Sequence, residues 1–241
     1  MTRIPWLNPD DRTQPFPDPH TALKEPNGLV AVGGCLSPER LIQAYSQGIF
    51  PWFDESTPIC WWSPEPRTVL FPEHLKVSRS LRKTLRHGRF RLTLDQDFAA
   101  VLAGCSGPRT GSRGTWITPE MKHAYQRLHE LGFAHSVETR LGDELVGGLY
   151  GVCLSGIFFG ESMFSWVSDA SKVALAGLCA HMKIWGFRVI DCQMPTAHLH
   201  SLGAIDLPRH EFLTLLRSTR LDDSPHPRWQ LVPNWPSKLG F

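Results

Sequence analysis

The sequence predicts a mixed α+β (α/β) sheet domain preceded by a small N-terminal domain. Alternating apolar and polar residues recur in the middle of the chain, which is the pattern of half-buried strands. Segments with helical spacing separate the other candidate strands. Short aromatic segments among Pro and Gly turns characterise the first 67 residues. We therefore expect a small domain over residues 1–67 and the main domain over 68–241.

The predicted small domain has one helix. Residues 1–36 are rich in Pro, Gly and Asn and lack periodicity, which is typical of loops and turns. Ser37 is placed to cap a helix that begins at Pro38 and ends at Gly48. The segments 49–53 and 60–64 then contain too many aromatic residues for ordinary exposed loops.

The main domain begins with short alternating elements. Ser78 is placed to cap a helix to about residue 87, and a strand over 90–94 follows. Either Asp95 or Asp97 can cap the next helix. A basic Gly-rich loop over 106–115 leads to a helix capped by Thr118 and ended by Gly132, and the tail after residue 220 is predicted to be irregular.

The centre of the main domain is predicted to be a sheet. Two strands meet at a Gly142-Asp143 turn, a third follows, and a long helix precedes a buried strand. The predicted strands cover 135–140, 145–154, 157–161 and 188–193, and the predicted helices cover 170–185, 199–203 and 208–216.

Composition excludes several classes of protein. With 41% hydrophobic residues and a net charge of +2, the chain can form a core and is not globally disordered. Its six cysteines form no C-x-x-C pair, which favours free thiols in a reducing compartment. The polar N-terminus is unlike a signal peptide, and no apolar run approaches the ~20 residues of a membrane span. We expect a cytoplasmic protein.

A basic segment indicates a polyanionic partner. Between residues 79 and 91 the cations have no acid among them, so their mutual repulsion is unrelieved. A solvated helix face is the alternative, although such faces usually carry paired acids. The cations on the predicted helix are Arg79, Arg82, Lys83 and Arg86, and Arg109 and Arg113 in the basic loop fit the same partner. Trp52 and Trp116 lie beside loops, where a base can stack on each.

Three polar residues are candidates for chemistry. Asp191 and Gln193 are two apart in a predicted strand, so both side chains should project from one face. They are either a structural hydrogen-bonded pair or the lining of a pocket. Glu161 follows an apolar segment, and it lies either at a solvated strand end or in a cleft. His198 and His200 lack partners at metal spacing, so we expect no metal site.

Eight ordered motifs resemble the bacterial leucyl/phenylalanyl-tRNA–protein transferases over nearly the full length of the chain. The segments that carry the resemblance are residues 25–34 (EPNGLVAVGG), 48–53 (GIFPWF), 61–64 (WWSP), 114–118 (GTWIT), 144–152 (ELVGGLYGV), 159–165 (FGESMFS), 170–172 (ASK) and 190–193 (IDCQ). The resemblance implies a C-terminal domain with a GNAT-like acyltransferase fold. It implies transfer of Leu, Phe or, less well, Met from aminoacyl-tRNA to proteins with an N-terminal Arg or Lys, which marks them for degradation.

The resemblance also implies roles for individual residues. By motif, Asp191 and Gln193 are linked to catalysis, Glu161 lies near the acceptor amine, and Trp52 and Trp116 hold the terminal adenosine of the tRNA. The implied amino-acid pocket is formed by Leu149, Phe158, Met163, Leu175, Leu178 and Ile190. The family often has Met at position 149 and Phe at position 178. We expect no cofactor, no membrane partner and a monomer.

The implied reaction is aminolysis of an ester that is already activated. A protein α-amine with a pKa of ~8 is far more basic than an ordinary Asp with a pKa of ~3.9, so proton transfer to Asp191 is uphill by roughly 5.5 kcal/mol. Orienting the ester and the amine contributes ~7–11 kcal/mol and should be the larger effect. We therefore expect Asp191 to hydrogen-bond the side-chain amide of Gln193, whose carbonyl oxygen accepts a proton from the amine.

Two other functions are compatible with parts of the sequence. An acyl-CoA-dependent N-acetyltransferase is expected to share the implied fold, but the Gln/Arg-x-x-Gly-x-Gly/Ala loop for the pyrophosphate is replaced by residues 164–169. A non-catalytic tRNA-binding module needs the basic helix and the two tryptophans. It does not need Asp191, Gln193 or an apolar pocket.

Overall fold

A small sheet is formed near the N-terminus. The computed structural model describes residues 4–107, 117–219 and 229–240. This sheet consists of β1 (Trp6–Leu7), β2 (Leu29–Gly33), β3 (Phe50–Pro51) and β4 (Cys60–Trp62). Its strand order is β1-β2-β4-β3, and helix α1 (Pro38–Tyr45) connects β2 to β3.

A seven-stranded mixed sheet forms the centre of the molecule. Its strands are β5 (Arg67–Leu70), β6 (Arg91–Leu94), β7 (Ala134–Leu141), β8 (Glu144–Leu154), β9 (Ile157–Ser165), β10 (Val189–Gln193) and β11 (Ile205–Leu207). The order is β11-β5-β10-β9-β8-β7-β6. Neighbouring strands are antiparallel except for β9 and β10, which are parallel. The predicted mixed α/β class is confirmed.

Helices cover both faces of this sheet. They are α2 (Arg79–Arg86), α3 (Phe98–Cys105), α4 (Pro119–Glu130), α5 (Ala170–Trp185), α6 (Ala197–Ser201) and α7 (Arg209–Ser218). Successive residues of a strand face opposite sides. Phe158 accordingly belongs to the hydrophobic cluster that contains α5, whereas Phe159 belongs to the cluster that contains α3 and α4. Helix α5 is also the crossover between the parallel strands β9 and β10.

Hydrogen-bonding caps begin four of the helices where the sequence places them. The side chains of Ser37, Ser78, Asp97 and Thr118 each accept a hydrogen bond from a backbone N–H in the first turn. Between the two candidates for α3, Asp97 is therefore the cap. The buried carboxylate of Asp95 accepts instead from the backbone N–H groups of Ser136 and Trp229.

The described part of the tail, residues 229–240, has more regular structure than the sequence predicts. Residues 229–240 include a 3-10 helix (Trp235–Leu239) that packs on α5. Trp229 and Trp235 are buried there, and the indole of Trp229 stacks on His135 at 4.2 Å between ring centroids. Burial of two large aromatic side chains outweighs the weak local preferences of a Pro-rich segment.

One hydrophobic cluster joins residues of both sheets. It includes Leu7 and Trp61 from the small sheet and Val69 and Tyr150 from the large one. The division into domains after residue 67 stays a prediction. Within the described ranges, no helix is both long and apolar enough to cross a membrane.

Removing one helix cap should destabilise the fold by a small amount. Ser37→Ala deletes the acceptor for the Arg40 N–H at the start of α1, so the free energy of unfolding should fall by about 1 kcal/mol. Chemical denaturation measures the change. Ser218→Ala is the control, since that exposed residue at the end of α7 caps no N–H group; equal losses in both variants would contradict the cap.

Candidate active site

A cavity of about 430 Å³ opens beside the parallel strands β9 and β10. All six residues of the predicted amino-acid pocket line it, namely Leu149, Phe158, Met163, Leu175, Leu178 and Ile190. They come from β8, β9, α5 and β10, which meet there because α5 crosses over from β9 to β10. Leu175 and Leu178 are three apart on α5, so both face the sheet. The cavity can therefore hold an apolar side chain.

Glu161 lies in the wall of this cavity and is only 9% exposed. The strand β9 continues to Ser165, so Glu161 is inside the strand, and the predicted strand end at this residue is wrong. The hydroxyl groups of Tyr45 and Tyr125 donate to Oε1 at 2.7 Å and to Oε2 at 2.9 Å. The Nε2 of Gln193 donates to Oε1 at 2.9 Å. The carboxyl group is thus buried and satisfied by three side chains.

Burial is the main influence on the acidity of this carboxyl group. It raises the pKa of Glu161 to about 7, while the hydrogen bonds from Tyr45 and Tyr125 act in the opposite direction. Removal from water disfavours the charged form, whereas hydrogen-bond donors favour it. The nearby charge of Asp191 adds to the increase. Glu161 is therefore able to change protonation state near neutral pH.

Asp191 is fully buried and forms an ion pair with Arg67 across β5 and β10. The guanidinium Nε and Nη2 donate to Oδ1 at 2.8 Å and to Oδ2 at 2.6 Å. The guanidinium carbon of Arg67 also lies 4.8 Å from the ring centre of Phe50 and 4.5 Å from that of Phe212. A bidentate pair in such surroundings is geometrically fixed. The positive charge of Arg67 therefore balances the negative charge of Asp191 inside the protein.

The prediction of a hydrogen bond between Asp191 and the side-chain amide of Gln193 is wrong. Oδ1 of Asp191 accepts instead from the backbone N–H of Gln193 at 2.9 Å, and the side-chain amide donates to Glu161. The register of β10 shifts between these two residues, and Gln193 has a φ of 66°. This irregularity breaks the two-residue alternation on which the same-face prediction depends. Gln193 lines the cavity, whereas Asp191 does not.

Trp52, one of the two tryptophans predicted to hold the terminal adenosine of the tRNA, lies at the cavity. Trp52 lines the cavity and is 39% exposed, and its ring lies 5.8 Å from that of Trp62 in an edge-to-face arrangement. Trp62 Nε1 donates to the carbonyl oxygen of Trp52, which fixes the backbone there. A flat, partly exposed indole is suited to stacking on a base. Trp116 lies outside the described residues.

The predicted basic helix exists as α2. Its four cationic residues, Arg79, Arg82, Lys83 and Arg86, are all exposed, while Leu81 on the opposite face is buried. The helix packs against α5. Arg109 and Arg113, which the sequence predicts to join this surface, lie outside the described residues.

Sequence reasoning missed three residues that build the site. Tyr45 and Tyr125 occur in the sequence as parts of apolar helix faces, and Arg67 stands at the predicted domain boundary. A buried tyrosine hydroxyl or guanidinium needs a polar partner, so each of these residues, once known to be buried, points to a polar group nearby. The cavity lining that was not predicted includes Cys192 in β10 and Met194, Thr196, His198 and Leu199 after it.

The described residues contain no cluster of His, Cys, Asp or Glu suited to a metal ion. What they offer at the cavity is an apolar compartment next to an amide and a carboxyl group. The amide of Gln193 donates through Nε2, so its Oε1 is the atom that can accept a hydrogen bond. An amine near this amide and Glu161 would meet two acceptors.

Two family models match this chain. The model described as leucyl/phenylalanyl-tRNA protein transferase matches residues 69–217, and the model of the N-terminal domain of the same family matches residues 34–65.

Two relatives are about 60% identical to this chain over most of both sequences. A leucyl/phenylalanyl-tRNA–protein transferase from Nitrosospira multiformis is 60% identical over 214 residues, which are 89% of this chain and 91% of the relative. One from Azotobacter vinelandii is 61% identical over 82% of this chain and 87% of the relative. Among solved structures, L-PGS from Bacillus licheniformis aligns with a TM-score of 0.37 and 10% identity over 67% of this chain and 52% of that chain, which is too distant a likeness to inform fold or function.

Breaking the buried ion pair should be costly, and removing both charges should be less so. Arg67→Met leaves the carboxylate of Asp191 buried and uncompensated, so the free energy of unfolding should fall by about 3–5 kcal/mol. Adding Asp191→Asn should restore most of this loss because no isolated charge remains. Urea denaturation of the two single variants and the double variant measures the coupling.

The control for this cycle is Arg127→Met. Arg127 pairs with Glu130, but both side chains are about half exposed, so the expected change is below about 1 kcal/mol. If the loss in free energy of unfolding of the double variant equalled the sum of the losses of Arg67→Met and Asp191→Asn, the two residues would not be coupled.

Proposed function

Because this chain belongs to the leucyl/phenylalanyl-tRNA protein transferase family and is an aminoacyltransferase, we propose that it transfers Leu, Phe or, less well, Met from aminoacyl-tRNA to acceptor proteins with an N-terminal Arg or Lys. The observation that carries this proposal is the largely apolar cavity whose lining includes the hydrogen-bonded pair Glu161 and Gln193. It provides one compartment for the transferred side chain and adjacent acceptors for the attacking amine.

The cavity supports selection for a large apolar amino acid. Burying a Leu or Phe side chain stabilises a complex by ~1.5–3 kcal/mol, and each methylene changes discrimination by ~1–3 kcal/mol. Leu178 and Leu175 bound the cavity on the α5 side, and Phe158 and Ile190 bound it from the sheet. Smaller or β-branched side chains would leave part of the cavity unfilled.

The attacking amine is proposed to bind at Gln193 and Glu161. Gln193 Oε1 accepts one N–H, and Glu161 attracts the cationic terminus when it is ionised. Asp191 acts indirectly, through the backbone of Gln193. Its carboxylate is paired with Arg67 and accepts the backbone N–H of Gln193, which holds Gln193 in the conformation that turns its side-chain amide toward Glu161. This replaces the direct bond between the two side chains that the sequence suggested.

The charged tRNA is proposed to bind by its single-stranded end and its backbone. Trp52 would stack on the terminal adenosine, with Trp116 as its proposed partner in that task. The cations of α2 would contact phosphates. Such contacts are independent of the anticodon.

Further parts of the proposal follow from the resemblance and the topology. The mixed sheet with a parallel β9–β10 pair is compatible with a GNAT-like acyltransferase domain over 68–241 after a small domain over 1–67. We propose a cytoplasmic monomer without a cofactor, whose products are marked for degradation by their new N-terminal residue.

The direct test is transfer of a labelled amino acid. Incubating the protein with labelled Phe-tRNA and a peptide that begins with Arg should give a labelled peptide, while a peptide that begins with Gly should stay unlabelled. Transfer from acetyl-CoA, or tRNA binding without transfer, would overturn the proposal in favour of an N-acetyltransferase or a tRNA-binding module.

Narrowing the cavity should change amino-acid preference. Leu178→Trp fills part of the space, so transfer of Phe should fall about tenfold or more relative to transfer of Leu, in line with the ~1–3 kcal/mol value of a methylene. Competition between Leu-tRNA and Phe-tRNA measures the ratio of kcat/KM. Ile184→Trp, at a partly exposed position of the same helix, should leave the ratio unchanged. An unaltered ratio in Leu178→Trp would place the transferred side chain elsewhere.

Removing the positive charges of α2 should weaken the binding of all aminoacylated tRNAs to the same extent. Replacing Arg82, Lys83 and Arg86 with Ala removes three cations from the surface of this helix, so affinity should fall. The slope of log K against log salt should flatten by about one for each phosphate that the variant no longer neutralises. Filter binding of Leu-tRNA and Phe-tRNA over a salt series measures both. Unchanged affinity at every salt concentration would contradict this RNA surface.

A further inference from the structure

Three oxygen-to-oxygen contacts around Glu161 form a closed ring. The Tyr45 and Tyr125 hydroxyl oxygens lie 2.6 Å apart, and they lie 2.7 Å and 2.9 Å from the two carboxyl oxygens of Glu161. Each contact at these distances needs one proton between its two oxygens. The two tyrosines supply two protons, so the third contact lacks a proton whenever Glu161 is ionised.

A proton on Glu161 completes the ring. Oε2–H can then donate to Tyr125, Tyr125 to Tyr45, and Tyr45 to Oε1, while Nε2 of Gln193 still donates to Oε1. The two carboxyl oxygens thus serve as donor and acceptor of one hydrogen-bonded cycle. The geometry fits one more proton than the ionised site contains.

We propose that Glu161 is the catalytic base of aminoacyl transfer and that Tyr45 and Tyr125 are positioning residues that prepare it to take a proton. The proposal rests on the proposed function, because the proton comes from the α-ammonium of the acceptor. Glu161 lines the cavity beside Gln193, where that terminus is proposed to bind. Asp191 is unsuited to the task, since it does not line the cavity and is paired with Arg67.

Protons and electron pairs balance in this step. One N–H bond of the ammonium breaks and an O–H bond forms at Glu161, which leaves a lone pair on nitrogen. The nitrogen attacks the ester carbonyl, and the C–O bond to the tRNA then breaks with its electron pair on the 3′-oxygen. That oxygen takes the second nitrogen proton, and Glu161 releases its own proton to water when the product leaves.

The acidity of Glu161 agrees with this role. An ordinary Glu with a pKa of ~4.3 would accept a proton from an amine of pKa ~8 with an equilibrium constant of about 1 in 5,000. Burial raises the pKa of Glu161 to about 7, which reduces the mismatch to about tenfold. Among the described residues, the groups that act on it are Tyr45 on α1, Tyr125 on α4, and Asp191 and Gln193 on β10. Tyr150 on β8 lies beside the two tyrosines, and Arg67 on β5 lies behind Asp191.

The test is the pH dependence of kcat/KM for an Arg-initiated peptide. In the parent protein kcat/KM should start to fall below about pH 7. Only ionised Glu161 can take a proton from the acceptor ammonium, and Glu161 becomes protonated below that pH. In Glu161→Gln the rate should be about 100-fold lower at pH 7 and should fall already below about pH 8, the pKa of the amine alone. If kcat/KM began to fall at the same pH in both proteins, that is, if the acid limbs of the two pH profiles coincided, the proposal would be overturned.

Glu161→Gln should still fold, because its carboxamide can donate to Tyr125 and accept from Tyr45 and so closes the same ring. An unchanged melting temperature checks this. Transfer that is absent from the parent protein at every pH would refute the proposed function itself, whereas transfer with an unshifted limb in Glu161→Gln would refute only the role of Glu161.

The tyrosines are tested by a double-variant cycle. Tyr125→Phe should lower kcat/KM about tenfold in the parent protein but less than about twofold in Glu161→Gln, since the hydroxyl acts through the carboxyl group. Equal losses in both backgrounds would assign Tyr125 a purely structural role. Thr93→Val is the matched control: it removes a hydroxyl from Glu138, another buried carboxyl group, outside the cavity, and it should leave the acid limb in place.

Discussion

The buried carboxyl group of Glu161 is the point at which four elements of the fold are held together. Tyr45 reaches it from α1, Tyr125 from α4 and Gln193 from β10, while Glu161 itself lies in β9. A buried carboxyl group without such partners would cost several kcal/mol. These hydrogen bonds therefore fix two helices that are far apart in the chain against the sheet, and they hold Gln193 beside Glu161 in the cavity wall.

The second constraint is the ion pair between Arg67 and Asp191. It connects β5 to β10 and leaves Asp191 able to accept the backbone N–H of Gln193 at the irregularity of β10. The residue after that irregularity turns its side chain into the cavity and toward Glu161. The two buried carboxyl groups thus have different tasks because their partners differ: Asp191 has a cation, whereas Glu161 has neutral hydroxyl and amide groups.

Local patterns predict the α-helices and the strands β6 to β10, but they do not predict the small sheet, β5 or β11. The caps of α1, α2 and α4 and the extent of α5 follow from short-range preferences, and the structure agrees. The apolar cavity lining was available from the family resemblance. The tail over 229–240 and the ring around Glu161 were not predicted, because both depend on contacts between residues far apart in the chain. The bond expected between Asp191 and the Gln193 side chain failed because strand alternation does not reveal a bulge.

The protonation state of Glu161 is the most direct test of its proposed role as the base. The protein can be labelled with ¹³C at the side-chain carboxyl of glutamate, with Glu161→Gln to assign the signal, and followed by NMR between pH 4 and pH 9. We predict that the Glu161 carboxyl carbon shifts with a midpoint near pH 7, as burial raises its pKa to about 7. A midpoint near the ordinary value of ~4.3 would contradict the role, since Glu161 would then be too weak a base to take a proton from the amine.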